Sequence, residues 1–179
     1  MTFEINNKTA IITFEDSDTI GRPFRDEIRR NYKSYSSLNI AVDLSLMKSV
    51  LSKHIMEFVE LSNHHRVLNK KSFVIVTGPI ALKLLPDGLN VVPTLHEALD
   101  TIEIEEIENT INKVFNLDQS LILLKKKITF PYKKLLLITN SKKITNNIIN
   151  EKLPKYLPNY MIPEDVKFTK KFRFNSNGK

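Results

Sequence analysis

Few side chains in this sequence are of the types that carry catalysis or bind metal ions. There is no cysteine, which excludes disulfides, thiolate zinc sites and cysteine nucleophiles. The histidines are His54, His64, His65 and His96. The adjacent pair falls in a predicted helix, where neighbouring side chains point in different directions, so we expect two surface histidines and no metal site. The four glycines form no G-x-x-x-x-G-K-[ST] phosphate loop. The residues alone therefore define no complete active site.

The charge distribution divides the sequence into two parts. Residues 1–108 contain 12 Lys and Arg against 16 Asp and Glu, whereas residues 109–179 contain 15 against 4. This asymmetry predicts two structural units, and it permits a nucleic acid or another anionic surface as the partner of the basic part. The alternative is that these lysines are ordinary solvated surface residues, because no nucleic-acid-binding motif or aromatic platform accompanies them.

Short strands alternate with helices in the first part. Two β-rich runs, at residues 3–5 and 10–14, flank an Asn-Asn-Lys turn and predict a hairpin. Apolar residues at helical spacing predict helices over residues 22–35 and 52–67. Further strands are predicted at residues 39–44, 72–77 and 90–92, and a short helix at 80–85. The alternation predicts an α/β fold with a mixed sheet and with helices packed on one face.

This pattern resembles the STAS domain, the small α/β module of bacterial anti-anti-sigma factors and related regulatory proteins. The matching text is I-A-V-D-L-S at residues 40–45, F-V-I-V at 73–76 and V-V-P-T-L-H-E-A-L at 91–99. The resemblance implies a STAS-like domain over residues 1–103 that regulates another protein by binding to it.

One serine matches the phosphorylated position of the STAS proteins that act as phosphorylation switches. Those proteins carry D-S-S-G at the start of the long helix, where the free N–H groups of the helix favour a phosphate. Ser52, in L-S-K-H, is the matching residue, although the aspartate, the second serine and the glycine are missing. The resemblance thus implies phosphorylation of Ser52; the alternative is that Ser52 is an N-cap of the helix.

The second part predicts a small α+β domain over residues 104–179. Apolar runs predict strands at 120–124, 128–130, 134–139 and 166–168, and a helix at 144–156. The text L-P-K-Y-L-P-N-Y-M-I-P at 153–163 and N-S-N-G-K at 175–179 resembles the C-terminal subdomain of acyl-adenylate-forming enzymes, the acyl-CoA ligases and adenylation domains. The run I-E-I-E-E-I-E at 102–108 matches a motif near the start of that subdomain.

The second resemblance implies a catalytic role for Lys179. In those enzymes the lysine of N-G-K reaches into a large nucleotide-binding domain and stabilises the charge that develops as a carboxylate attacks ATP, which is bound with magnesium. The nucleotide-binding domain is missing from this sequence, so Lys179 would act only with a separate partner core.

Residues 94–109 match both families. Leu95, Leu99 and Ile102 form one helical stripe, and Ile104, Ile107 and Ile111 form another in a shifted phase. We therefore expect a helix over 95–102, a break near 103–105 and a second helix to about residue 115. An unbroken helix would favour a STAS domain with an attached tail over a true adenylation subdomain.

These observations favour a non-catalytic STAS-like regulatory module with a protein partner and no cofactor, fused to an isolated adenylating-enzyme subdomain. One alternative is the C-terminal part of an AMP-forming acid ligase that uses ATP and magnesium with a separate core. A second is a basic nucleic-acid-binding protein, and a third is a fusion whose second half has no function. No signal peptide and no membrane-spanning run is apparent, so we expect a cytoplasmic location without membrane insertion. The oligomeric state stays open.

Overall fold

A computed structural model describes residues 1–16, 30–48, 50–78, 88–125 and 134–172. Within the described residues the chain forms two compact units, unit 1 over Met1–Ile102 and unit 2 over residues 103–172. Each unit has its own β-sheet. The α/β class predicted from the sequence is confirmed.

The sheet of unit 1 is mixed, as predicted, and its five strands follow one another in chain order. The first two strands form the predicted antiparallel hairpin, and Asn7 in the turn adopts a left-handed φ of 53°, which asparagine tolerates. The remaining neighbours are parallel. The strands are β1 (Thr2–Asn6), β2 (Thr9–Thr13), β3 (Asn39–Asp43), β4 (Phe73–Val76) and β5 (Asn90–Val92).

Helices cover one face of this sheet between consecutive parallel strands. Residues 30–35 are helical, and α1 (Ser52–Met56) and α2 (Val59–Leu68) connect β3 to β4. Because crossovers between parallel strands are right-handed, strands added in one direction place their connecting helices on the same face. The core on this face is formed by buried aromatic and aliphatic side chains, among them Ile12, Phe14, Ile40, Val42, Phe58 and Phe73.

The opposite face of the sheet is also buried, so the expectation of helices on one face was wrong. Ile11, Ala41 and Val74 point to this side and pack with Ala98 and Ile102 from the helix α3 (Leu95–Phe115). The reason is that the central strands are apolar at consecutive positions rather than at alternate ones. Such strands need cover on both faces.

The helix predicted over residues 52–67 is interrupted at Glu57 and Phe58. The Phe58 N–H donates to the carbonyl of Ile55 over 3.0 Å, which is a turn tighter than an α-helix. The Phe58 ring is fully buried, with its centroid 6.5 Å from that of Phe14 and 6.4 Å from that of Phe73. We attribute the interruption to this aromatic packing, which the helical periodicity did not reveal.

Helix α3 runs without interruption from Leu95 to Phe115, so the predicted break near residues 103–105 was wrong. Its start is fixed by Thr94, whose hydroxyl accepts the N–H of Glu97 at 3.2 Å. Of the first predicted stripe, Ile102 and Leu95 contribute to the core of unit 1, where Ala98 takes part and Leu99 does not. The second stripe is confirmed, since Ile107, Ile111 and the partly buried Ile104 contribute to the core of unit 2. A helix turns about 100° per residue, so it presents different faces along its length without a break.

The sheet of unit 2 has three strands in the order β6-β7-β8, namely β6 (Ser120–Lys125), β7 (Lys134–Thr139) and β8 (Asp165–Phe168). The β6–β7 pair is antiparallel and the β7–β8 pair is parallel. On the outer edge of β6, the N–H of Ile122 donates to the Glu108 carboxylate at 2.8 Å. The predicted strand at 128–130 and the predicted helix at 80–85 lie outside the described residues.

Helix α4 (Asn146–Lys152) is shorter than the helix predicted over 144–156. Thr145 caps its start, with the hydroxyl accepting the N–H of Ile148. At the other end the chain continues as a 3-10 turn, Leu153–Lys155, because Pro154 cannot donate a helical hydrogen bond. Ile149, Leu153 and Leu157 carry this segment into the core of unit 2.

Within the part of the chain that the structure describes, no helix combines the length and the apolar character that crossing a membrane requires.

Candidate functional site

The segment between β3 and α1 leads to Ser52, the candidate phosphorylation site suggested by the sequence. Asp43 ends the strand and is buried, and its carboxylate accepts the N–H of Ser45 at 2.9 Å. This local hydrogen bond turns the chain at the carboxyl edge of the parallel strands. Loops at that edge are where α/β sheets usually place their functional groups.

A second contact ties this segment to the loop that follows β2. The Asp16 carboxylate accepts two hydrogen bonds from Lys48, one from the backbone N–H and one from Nζ, each at 2.6 Å. The side-chain bond and then the backbone bond lower the pKa of Asp16, and the same side-chain bond raises the pKa of Lys48. Both groups are exposed, so the contact orders the two loops rather than forming a buried charge site.

Ser52 is the first residue of α1 and is half-buried. The interpretation of Ser52 as the N-cap was wrong, because Leu51 occupies that position with extended backbone angles. The Leu51 N–H donates to Nδ1 of His54 at 3.2 Å, so a side chain three residues on supplies the capping contact. Leu51 is the last extended residue before the helix, so Ser52 lies one position further in, as the first helical residue.

Three large apolar side chains on the same segment point into solvent. Leu46, Leu51 and Met56 are each at least 51% exposed, and Ser52 lies between them in the sequence. We refer to Leu46, Leu51, Ser52 and Met56 as the α1 surface. This surface was not predicted, because leucine and methionine are residue types that are usually buried in a core.

The two adjacent histidines differ in environment, which corrects the expectation of two surface side chains. His64 is exposed, with its ring 5.6 Å from that of Tyr32. His65 is fully buried: Nε2 lies 2.9 Å from the carbonyl of Leu38, and Nδ1 lies 2.8 Å from the hydroxyl of Tyr32. The amide of Asn69 donates to the same hydroxyl at 2.6 Å.

The partners of His65 determine its charge and tautomer. A carbonyl only accepts, so Nε2 carries the proton and Nδ1 accepts from Tyr32. Burial lowers the pKa of His65, although its hydrogen bond to Leu38 opposes that shift. Burial also raises the pKa of Tyr32. These two neutral groups satisfy each other's hydrogen bonds and form a structural network.

The remaining candidate side chains do not come together in one site in the described part of the chain. No group of three or more His, Asp or Glu residues that could hold a metal ion occurs in the described ranges. His54 lies on α1 and is engaged with Leu51. His96 lies on α3, with Nε2 at 3.8 Å from the Asp100 carboxylate. Lys179 and the rest of its N-G-K motif lie outside the described residues.

In comparisons with known proteins, no family model matches the chain, and no curated protein matches it.

Proposed function

We propose that this chain is a non-catalytic regulatory module whose first unit binds a partner protein through the α1 surface. The observation that carries the proposal is the exposure of Leu46, Leu51 and Met56 on one short segment. Single exposed apolar residues are normal on proteins, but several on one segment are typical of an interaction site. The partner is a protein with an apolar contact patch, and the module needs no cofactor.

The continuous helix α3 supports the STAS-like interpretation of unit 1. An adenylation subdomain would use residues 103–105 as a break between elements, whereas these residues are helical. Unit 2 is then a small α+β domain carried behind the module. We place the chain in the cytoplasm, an assignment supported by the complete lack of cysteine.

The α1 surface is tested by charge insertion. We expect the double variant Leu51→Asp, Met56→Asp to lose at least about tenfold in affinity for the native partner, because a buried carboxylate in an apolar contact is costly. The partner is captured from the native cell with the wild-type chain, identified by mass spectrometry, and its affinity is measured by calorimetry.

The matched control is the double variant Val67→Asp, Leu68→Asp, which introduces the same two charges at side chains that are 62% and 65% exposed on α2. This variant should bind like the wild type, and circular dichroism should show that all variants fold. If the control and the α1 double variant lowered the affinity for the partner equally, the α1 surface would not be the binding site.

Phosphorylation of Ser52 is the proposed means of regulation. A phosphate at the first residue of α1 gains from the free N–H groups of the helix start, and it places charge between Leu51 and Met56. We expect phosphorylated Ser52 in peptides of the protein from its host, and a loss of about tenfold in partner affinity for Ser52→Asp but not for Ser52→Ala. Binding that is equally strong in both variants, with an unmodified peptide in all growth phases, would refute the switch.

The ligase alternative makes a different prediction for the same protein. A module should release no pyrophosphate when incubated with ATP, magnesium and carboxylic acids. Release that depends on added protein, and that is lost in Lys179→Ala, would overturn the non-catalytic assignment.

A further inference from the structure

The outer edge of β1 is a second surface that the proposed function does not use. Strand β1 pairs with β2 on one side, and no other described strand pairs with it. All five of its residues are exposed, including Phe3 at 46% and Ile5 at 55%. An edge strand with exposed apolar side chains is a template for pairing with another chain.

Proteins usually protect such an edge with proline, charged side chains (lysine above all), a bulge or a covering element. Strand β1, with the sequence T-F-E-I-N, has no proline, lysine or bulge, and Glu4 is its single charged residue. Its register with β2 is regular across five consecutive pairs, from Thr2 opposite Thr13 to Asn6 opposite Thr9. Among the described residues, no strand occupies this edge.

The hydrogen bonds of β2 show which groups of β1 point outward. The carbonyl of Lys8 accepts from Asn39, and the N–H of Phe14 donates to Asp43, so even-numbered residues of β2 face β3. Odd-numbered residues of β2 then face β1, where their partners are Thr2, Glu4 and Asn6. The N–H and C=O groups of Phe3 and Ile5 consequently point to the outer edge.

We propose that β1 of a second copy of this chain pairs with this edge in antiparallel orientation. The five-stranded sheets of the two copies then form one continuous sheet. The two-fold axis passes beside Phe3, so that each Phe3 faces the Phe3 of the second copy. Ile5 faces Met1, and Thr2 faces Glu4. The outward-pointing residues then form the hydrogen-bonded pairs, and Met1, Phe3 and Ile5 form one apolar stripe on a single face.

The spacing of the side chains selects a second copy rather than an unrelated strand. The apolar residues at positions 1, 3 and 5 are symmetric about Phe3, which makes the edge complementary to itself. Charge selects the register, because centring the axis on Glu4 would place two carboxylates directly opposite each other. The Phe3 ring is already supported by Tyr35, with centroids 5.2 Å apart.

The register is tested with paired cysteines, which the cysteine-free chain allows. Thr2 and Glu4 would form a non-hydrogen-bonded pair with Cα atoms about 4.5 Å apart, within the range for a disulfide. We expect a mixture of Thr2→Cys and Glu4→Cys chains to form a linked dimer on mild oxidation, whereas each variant alone stays unlinked. Linkage of Glu4→Cys alone to the same extent would overturn the register.

The interface itself is tested by sedimentation equilibrium of the full chain over a range of concentrations. The wild type should dimerise, and Ile5→Lys should be monomeric throughout, whereas Val67→Lys on α2 should dimerise like the wild type. A wild type that is monomeric at the highest soluble concentration would overturn the proposal. A dimer that persists unchanged in Ile5→Lys would also overturn it, because its interface would lie elsewhere.

Discussion

His65 links three segments of unit 1 through its two ring nitrogens. It lies on α2, its Nε2 contacts the carbonyl of Leu38 just before β3, and its Nδ1 contacts Tyr32. Phe58, Ser62 and His65 occupy one helical face and are all fully buried. The expectation of two surface histidines considered only that adjacent side chains on a helix point in different directions. The helical spacing of Phe58, Ser62 and His65 would have placed His65 on the buried side, but the sequence does not show its partners Leu38 and Tyr32.

Buried neutral histidine makes the stability of unit 1 depend on pH. The pKa of His65 in the folded chain lies below its ordinary value of 6.5, so below that pH the unfolded chain takes up a proton first. The free energy of unfolding should therefore be fully retained above pH 6.5 and fall as pH drops below it, by up to about 1.4 kcal/mol per pH unit. Urea denaturation at pH 7.5 and 5.5 measures this loss.

The matched pair for this measurement is adjacent in the sequence. His65→Gln should have a smaller loss between the two pH values than the wild type, whereas His64→Gln, at an exposed position, should keep the wild-type dependence. An unchanged dependence in His65→Gln would show that other groups cause it.

The interruption between α1 and α2 allows the Phe58 ring to be buried in the core of unit 1. Its truncation to alanine should reduce the free energy of unfolding by about 3–5 kcal/mol, because the ring is fully buried between Phe14 and Phe73. The exposed Met56→Ala should change it by less than about 0.5 kcal/mol. Equilibrium denaturation distinguishes them, and a loss for Phe58→Ala as small as that of Met56→Ala would contradict this account of the interruption.

At the scale of elements, the strands were predicted well and the helix boundaries were not. Strands β3, β4 and β5 are short apolar runs between turn residues, so their positions follow from composition. The end of α1 depends on the packing of Phe58, which composition does not show. The end of α4 is different, because Pro154 is a helix-stop signal that the predicted helix over 144–156 did not take into account. Helix α3 is the reverse case: a change in stripe phase indicated a break, yet the backbone stays helical.

The continuity of α3 can be tested with proline. Glu103→Pro should reduce the free energy of unfolding by about 3 kcal/mol or more, because proline in a helix interior removes a hydrogen bond and clashes with the preceding turn. Glu103→Ala removes the same side chain and should have a much smaller effect. Circular dichroism and denaturation measure both. Tolerance of the proline would show that the chain can break at this point.

At the scale of the whole molecule, each unit has its own hydrophobic core, and the sequence predicts the cores better than the exposed surfaces. The packing of both faces of the first sheet could be read from strands that are apolar at consecutive positions, such as A-I-I and V-I-V. The α1 surface could not be predicted from the sequence, because residue type alone does not distinguish an exposed leucine from a buried one. Only the fold shows which of them faces solvent.

The contact between Glu108 and Ile122 bears on how this chain avoids aggregation. Strand β6, S-L-I-L-L-K, has the composition of a segment that stacks into fibrils. Its outer N–H at Ile122 is already bonded to a carboxylate, so an approaching strand would have to displace a charged side chain before it could pair. Glu108, a residue of α3, therefore occupies one of the outward-facing hydrogen-bond donors of an apolar edge strand and places a charge beside it.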